Sequence, residues 1–125
     1  MKEVAIILLL IFLGGCATTH QYLPVSDMSN LSPGNVLIKV ERRSEFMGSG
    51  RSIEVSDDGK VVGQVAPGET LIWQRPSGIF EIQLVPATLM VSDPVPIKVD
   101  GKSGKQYDFE MFWGGNKFEL QRRVP

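Results

Sequence analysis

The chain has 125 residues, which is room for one domain, and its 13 glycines and 8 prolines predict many turns and few long helices. A hydrophobic content of 42% with 22% charged residues excludes wholesale disorder. The net charge of −1 offers no broad basic field for a phosphate backbone, so we expect no nucleic-acid partner.

The first 15 residues resemble a bacterial lipoprotein signal peptide. The apolar run over residues 4–13 is shorter than the about 20 residues that a membrane-spanning helix needs, and it suits the hydrophobic region of a secretory signal. The sequence Leu13-Gly14-Gly15-Cys16 then resembles a lipobox, in which the cysteine becomes the acylated first residue of the mature protein. Glu3 is an exception to the positively charged N-terminal region that is usual in signal peptides. The alternative is an ordinary cleaved signal with an accidental cysteine.

Cys16 is the only cysteine, so no intramolecular disulfide is possible and acylation leaves no free thiol. Several palmitate-type chains on one residue would anchor the protein stably, since a single chain gives only marginal binding. In the sorting rule known for enterobacterial lipoproteins, an aspartate after the cysteine favours the inner membrane, so Ala17 suggests the outer one. The resemblance therefore implies an anchor in the outer membrane and a domain that faces the periplasm.

Residues 16–34 follow as a predicted flexible tether. Thr, Ser, Asn and Pro dominate, and no period of 2 or 3.6 persists. A flexible segment of this length would hold the domain about 20–25 Å from the membrane on average. Alternatively, Tyr22, Leu23 and Val25 lie across the domain surface. We expect His20, the single histidine, to be solvated, because a tether cannot hold a base within the ~3 Å that general-base catalysis needs.

Residues 35–125 predict an all-β domain. Apolar side chains recur at every second position in short runs: Val36, Ile38 and Val40; Ile53 and Val55; Leu71 and Trp73; Phe80, Ile82 and Leu84; Ile97 and Val99; Tyr107, Phe109, Met111 and Trp113; Phe118 and Leu120. Turn signals separate the runs, among them Asp57-Asp58-Gly59-Lys60, Pro67-Gly68 and Pro76-Ser77-Gly78. The prolines of residues 86–96 exclude a central strand there. We predict a small antiparallel β-sandwich of about seven or eight short strands.

Part of this pattern resembles a known module. Residues 36–83, with I-E-V-S-D-D-G-K-V-V-G-Q-V-A-P-G-E-T inside them, resemble the PEGA-type β-sandwich and a family of bacterial lipoproteins of unknown function. The matching positions are Asp58, Gly59, Lys60, Val62, Gly63, Pro67 and Gly68. Where that family usually has Pro-Gly before the next strand, this chain has the longer Pro76-Ser77-Gly78. The resemblance covers about half of the domain and implies a sandwich fold and an interaction domain.

No residue pattern indicates catalysis. Asp57 and Asp58 are adjacent in a predicted tight turn, where Asp bonds to local backbone, and nothing identifies the two carboxyls ~5–10 Å apart in a cleft that a glycosidase needs. Gly48-Ser49-Gly50-Arg51 lacks the following helix that a phosphate-binding loop requires. We therefore predict a protein that is not an enzyme and has no metal site and no cofactor.

The candidate binding residues lie in the loop over residues 42–50, directly after it, and in the hairpin over residues 112–116. They are Arg42, Arg43, Phe46, Arg51 and Phe112. Exposed aromatic rings can anchor a protein or stack on sugars. Alternatively, the rings cover the ends of the sandwich and the arginines are scattered solvated charges.

The favoured hypothesis is a lipid-anchored, non-catalytic envelope protein whose periplasmic sandwich binds a protein or envelope partner. The alternative is a carbohydrate- or peptidoglycan-binding module that uses Phe112, Phe46 and neighbouring arginines.

Overall fold

The computed structural model describes residues 18–45, 51–85, 94–115 and 117–123; the signal peptide, Cys16 and Phe46 lie outside them. The described residues form nine strands and one 3₁₀ helix, Met28–Asn30. The strands are β1 His20–Gln21, β2 Asn35–Arg42, β3 Ile53–Asp57, β4 Lys60–Val65, β5 Thr70–Pro76, β6 Gly78–Leu84, β7 Ile97–Gly101, β8 Gln106–Trp113 and β9 Phe118–Arg123. The predicted all-β fold is confirmed.

The strands form two sheets that pack as a sandwich. One has the order β1-β4-β3-β6-β7 and the other the order β5-β2-β8-β9. All neighbours are antiparallel except β2 and β8, which run parallel, so the predicted antiparallel sandwich contains one parallel pair. A parallel pair needs a long crossover connection, and here the chain from β3 to β7 supplies it.

The core lies between the sheets and consists of the alternating apolar side chains that the sequence predicts. The fully buried members include Val36, Ile38 and Val40 of β2, Leu71 and Trp73 of β5, Phe80, Ile82 and Leu84 of β6, and Phe109 and Met111 of β8. Each such side chain contributes about 1.5–3 kcal/mol when it leaves water. The chain offers no disulfide, so this set carries most of the stability of a small domain.

The two clearest turn predictions are confirmed. Asp58 (φ 49°) and Gly59 (φ 82°) both have positive φ between the paired residues Asp57 and Lys60, as a two-residue type I′ hairpin requires. In the next turn, Gly68 has φ 77° and the N–H of Glu69 donates to Ala66 O, which is the geometry of a type II turn.

The flexible tether predicted for residues 16–34 is wrong over residues 18–34, which lie against the sandwich. β1 pairs with β4, with His20 opposite Gln64. Leu23 packs against the core, as the alternative interpretation expected, and Ser26 is 4% exposed. The sequence of this segment shows no alternation of apolar residues because it is held mainly by hydrogen bonds. Its backbone and its polar side chains bond to the edges of the sheets.

Gln21 and Gly63 show how this segment closes one side of the sandwich. The side-chain amide of Gln21 donates to Ile72 O (2.8 Å) and accepts from Ile72 N–H (2.9 Å), which covers the outer edge of β5. Opposite Gln21, Gly63 lets β1 approach β4, because a Cβ there would lie 2.7 Å from His20 O. We call the edges of β4 and β5, covered in this way, the closed side.

Candidate binding surface at the open side of the sandwich

Arg42 is a structural residue, so its assignment to a binding surface is wrong. Every second residue of β2 points into the core, and Arg42 continues that series and is 2% exposed. Its guanidinium donates to Arg51 O and to Val65 O (2.8 Å) and lies 4.9 Å from the centroid of the Phe118 ring. Burial lowers the pKa of the Arg42 guanidinium, and the Glu45 carboxylate opposes that shift.

Arg43 and Phe112, two of the predicted binding residues, contact each other on the outer face of the second sheet. The Arg43 guanidinium lies 4.8 Å from the centroid of the Phe112 ring and forms an ion pair with Glu110. The Arg43 side chain is 50% exposed, whereas Phe112 is only partly exposed. Arg51 is exposed, and its carbonyl accepts from Arg42. The members of the predicted set that the structure describes therefore provide one exposed cation–ring contact.

A second arginine cluster was missed in the sequence. Asp57, expected to serve only its turn, is 9% exposed and accepts from Trp73 Nε1 (3.0 Å) and Arg75 Nε (3.1 Å). The Arg75 guanidinium also bonds to Asp58 and lies 4.0 Å from the centroid of the Phe80 ring. The sequence feature that indicates this cluster is the two-residue spacing of Trp73 and Arg75, which puts both side chains on one face of β5, beside the β3–β4 hairpin. The carboxyl groups of Asp57 and Asp58 thus both bond to Arg75 and link the β3–β4 hairpin of one sheet to β5 of the other.

The other side of the sandwich is formed by the edge strands β7 and β9. Within the described ranges, no strand pairs with the outer edge of either one. We call this the open side. It lies opposite the closed side, because β4 contacts β5 and β6 contacts β9 across the sandwich, which puts β1 and β5 on one side and β7 and β9 on the other.

The hydrogen-bond register shows which backbone groups of β9 face the open side. The N–H of Gly114 donates to Lys117 O, so these residues form a hydrogen-bonded antiparallel pair. Hydrogen-bonded pairs alternate with non-hydrogen-bonded ones, so Glu119 and Gln121 also bond to β8. The N–H and C=O groups of Leu120 and Arg122 therefore point away from β8, toward the open side.

Two clefts border β9 and share Arg122. One has a volume of about 390 Å³ and is lined by five apolar residues, Val95, Ile97, Phe112, Phe118 and Leu120, and by four polar ones, Lys117, Glu119, Gln121 and Arg122; we call it the apolar cleft after the first five. The basic cleft has a volume of about 480 Å³ and is lined by Lys102, Lys105, Gln106, Tyr107, Asp108, Arg122 and Arg123. Both are open to solvent, so they are surface grooves and not enclosed pockets.

Among residues 18–45, 51–85, 94–115 and 117–123, no group of three or more His, Cys, Asp or Glu side chains could hold a metal ion. No helix in that part of the chain is long and apolar enough to cross a membrane.

Comparisons of the chain with protein-family models, with curated proteins and with solved structures found no match. The resemblance to PEGA-type modules and their lipoproteins therefore stays a prediction, and the functional argument is built on the geometry of the open side.

Proposed function

We propose that this protein is a non-catalytic binding module, anchored in the bacterial envelope through acylated Cys16, that recognises a protein partner at its open side. The asymmetry between the two sides supports this most. Residues 18–34 cover the edges of β4 and β5, whereas no described strand pairs with the outer edge of β9, which is flanked by two clefts. Folded proteins usually cover or blunt their edge strands, and an uncovered one beside a cleft is suited to receive an extended segment of another protein.

The position of the N-terminal segment supports the anchored arrangement. Thr18 is fixed to the sandwich, because its N–H donates to Ser52 Oγ (3.0 Å) and its carbonyl accepts from the same hydroxyl (2.6 Å). From Cys16 to Thr18 the chain reaches at most about 7 Å. Lipid on Cys16 would therefore hold the closed side near the bilayer surface, not about 20–25 Å away. The open side, four strand spacings or about 19 Å across the sheet from β1, would remain accessible.

The geometry of Phe112 favours a protein over a sugar. Sugar-binding aromatic residues offer an open ring face, but the Arg43 guanidinium lies over this ring and Phe112 is only partly exposed. In addition, the outward backbone groups of Leu120 and Arg122 match the donors and acceptors of another polypeptide chain. The peptidoglycan alternative is tested as a competing outcome below.

Site-specific photocrosslinking in the living bacterium tests this proposal. A photoreactive amino acid at Gln121, an exposed residue of β9, is compared with one at Lys60, an exposed residue of the β3–β4 hairpin. We expect a discrete protein adduct from position 121 and none from position 60. No adduct from position 121, or the same adducts from both positions, would overturn the proposal. Co-sedimentation of the protein with purified sacculi that is lost in Phe112→Ala would replace it with the peptidoglycan alternative.

A further inference from the structure

We infer that the edge of β9 binds an extended peptide segment with apolar side chains at one end and acidic side chains at the other. The inference rests on the proposed function and names the chemistry of the partner. β9 has six residues and therefore runs about 20 Å, enough for a paired segment of similar length. Its sequence, F-E-L-Q-R-R, changes from apolar to basic along that length.

The backbone groups at the outer edge of β9 can pair with an added strand. The N–H and C=O groups of Leu120 and Arg122 point away from β8, so a strand added at this edge would find donors and acceptors at both positions. The alternation has independent support on β8, where Met111 O accepts from Arg43 N–H on the β2 side (2.8 Å). Odd-numbered residues of β8 thus bond to β2 and even-numbered residues to β9, as the Gly114–Lys117 pair requires.

The cationic residues of the basic cleft favour acidic side chains in the bound segment. Four of its lining residues are cationic, and the single carboxylate, Asp108, already accepts from Gln106 Nε2 (2.8 Å). Lys102 is paired with Asp100, and Arg123 with Glu41 and Glu110.

Lys105 and Arg122 differ from the other two cations of this cleft. Among the described residues, neither has a carboxylate within the 4.0 Å of an ion pair. They are the charges that an incoming acidic side chain would meet.

Tyr107 makes the floor of this cleft rigid. The Arg122 guanidinium lies 4.8 Å from the centroid of the Tyr107 ring. The Tyr107 hydroxyl accepts from Lys102 N–H (2.8 Å) and lies 3.4 Å from Asp100 O, which accepts from it. Arg122 is therefore held over a fixed ring and needs little ordering when it binds a carboxylate, which reduces the entropic cost of binding.

The apolar cleft favours apolar side chains at the other end of the bound segment. Val95 is 72% exposed, and Ile97 and Leu120, which also line this cleft, are both partly exposed. Apolar side chains of a bound segment would remove this surface from water, at about 25 cal/mol per Å². Arg122 lines both clefts, so a single segment can reach the two.

Fluorescence anisotropy with designed peptides tests the inference on the full-length protein in detergent. The probe alternates valine and threonine in one half and aspartate and serine in the other, and a second probe reverses the order of the halves. We expect one of the two orders to bind, which gives the strand direction. Replacing aspartate with asparagine in that probe should raise Kd about tenfold, and Lys105→Glu should raise it about five- to tenfold. Lys60→Glu, which changes the net charge equally but lies in the β3–β4 hairpin, should change it less than about twofold.

Equal affinity for the aspartate and asparagine probes would overturn the inference, and so would equal effects of Lys105→Glu and Lys60→Glu. Sedimentation that shows a dimer and no peptide binding would assign the edge to a second copy of the chain. If position 121 crosslinks a protein but charge has no effect on the probes, the proposed function stands and the inference fails. If no adduct forms and no probe binds, both fail.

Discussion

Replacing Arg42 with alanine should destabilise the domain strongly, although an arginine next to a polar loop resembles a surface residue. The substitution removes hydrogen bonds to Arg51 O and Val65 O and the contact with the Phe118 ring. Hydrogen bonds from a charged donor contribute about 1.5–3 kcal/mol each, and a desolvated cation–ring contact about 2 kcal/mol. Burying the guanidinium costs desolvation free energy in the wild type, and the substitution removes that cost, which offsets part of this sum. We expect a net loss of about 2–4 kcal/mol, which is near the upper range for single substitutions.

Urea unfolding followed by tryptophan fluorescence measures this loss, since Trp73 is fully buried. The midpoint should fall while the slope stays constant. In a thermal scan, Tm should fall by at least about 8 °C for a domain of this size. The matched control is Arg43→Ala, next in sequence but half exposed, which should change the unfolding free energy by less than about 1 kcal/mol.

An unfolding free energy for Arg42→Ala within about 0.5 kcal/mol of the wild type would refute the structural role of this arginine. Loss of partner binding at unchanged stability would return Arg42 to the binding surface. Arg42→Lys separates charge from geometry. It keeps the positive charge but not the planar donor set, so it should recover only part of the lost stability.

Three further predictions follow from individual contacts. Asp57→Ala leaves the buried Trp73 indole N–H without its acceptor and should cost about 1–3 kcal/mol in urea unfolding; a loss under about 0.5 kcal/mol would contradict the cluster. Arg122→Pro should leave the thermal stability nearly unchanged, because the N–H that it removes faces the open side, whereas Gln121→Pro breaks a bond to β8 and should lower Tm clearly; equal Tm values would contradict the register. Cys16→Ser should release the protein into the soluble periplasm in cell fractionation, and retention in the membrane fraction would overturn the anchor.

The strands could be predicted because one face of each packs in a core. The two-residue period of Phe80, Ile82 and Leu84 in β6 is sufficient to assign both a strand and its buried face. The Asp58-Gly59 turn was equally clear, because few residue pairs accept positive φ at both positions. These signals are local in the chain and independent of which strands become neighbours.

The candidate site depended on strand order, which local patterns do not contain. Arg43 and Phe112 were both singled out from the sequence, but their contact exists because β2 and β8 are parallel neighbours with Arg42 beside Met111. The burial of Arg42 had a weak signal, since it stands two residues after Val40 on the inward face. The positive charge of Arg42, however, favours an exposed position when only the sequence is considered. Only the positions of the Arg51 and Val65 carbonyls show why the charge is tolerated.

The position of the N-terminal segment could not be predicted for a related reason. β1 has only two residues, too few for any period to be visible. Gln21 acts through its side-chain amide, which substitutes for a strand at the edge of β5. A polar composition therefore predicted flexibility where the polar groups complete the hydrogen bonding of two edges.

Amide hydrogen exchange along β9, measured by NMR, tests the central claim most directly. In the free protein, the N–H groups of Leu120 and Arg122 should exchange fast and those of Glu119 and Gln121 slowly, because only the latter pair bonds to β8. Adding the acidic-ended peptide should protect Leu120 and Arg122 and leave the other two unchanged. Slow exchange of all four amides in the free protein, or fast exchange of Leu120 and Arg122 in the peptide-bound protein, would contradict an open β9 edge that binds a partner.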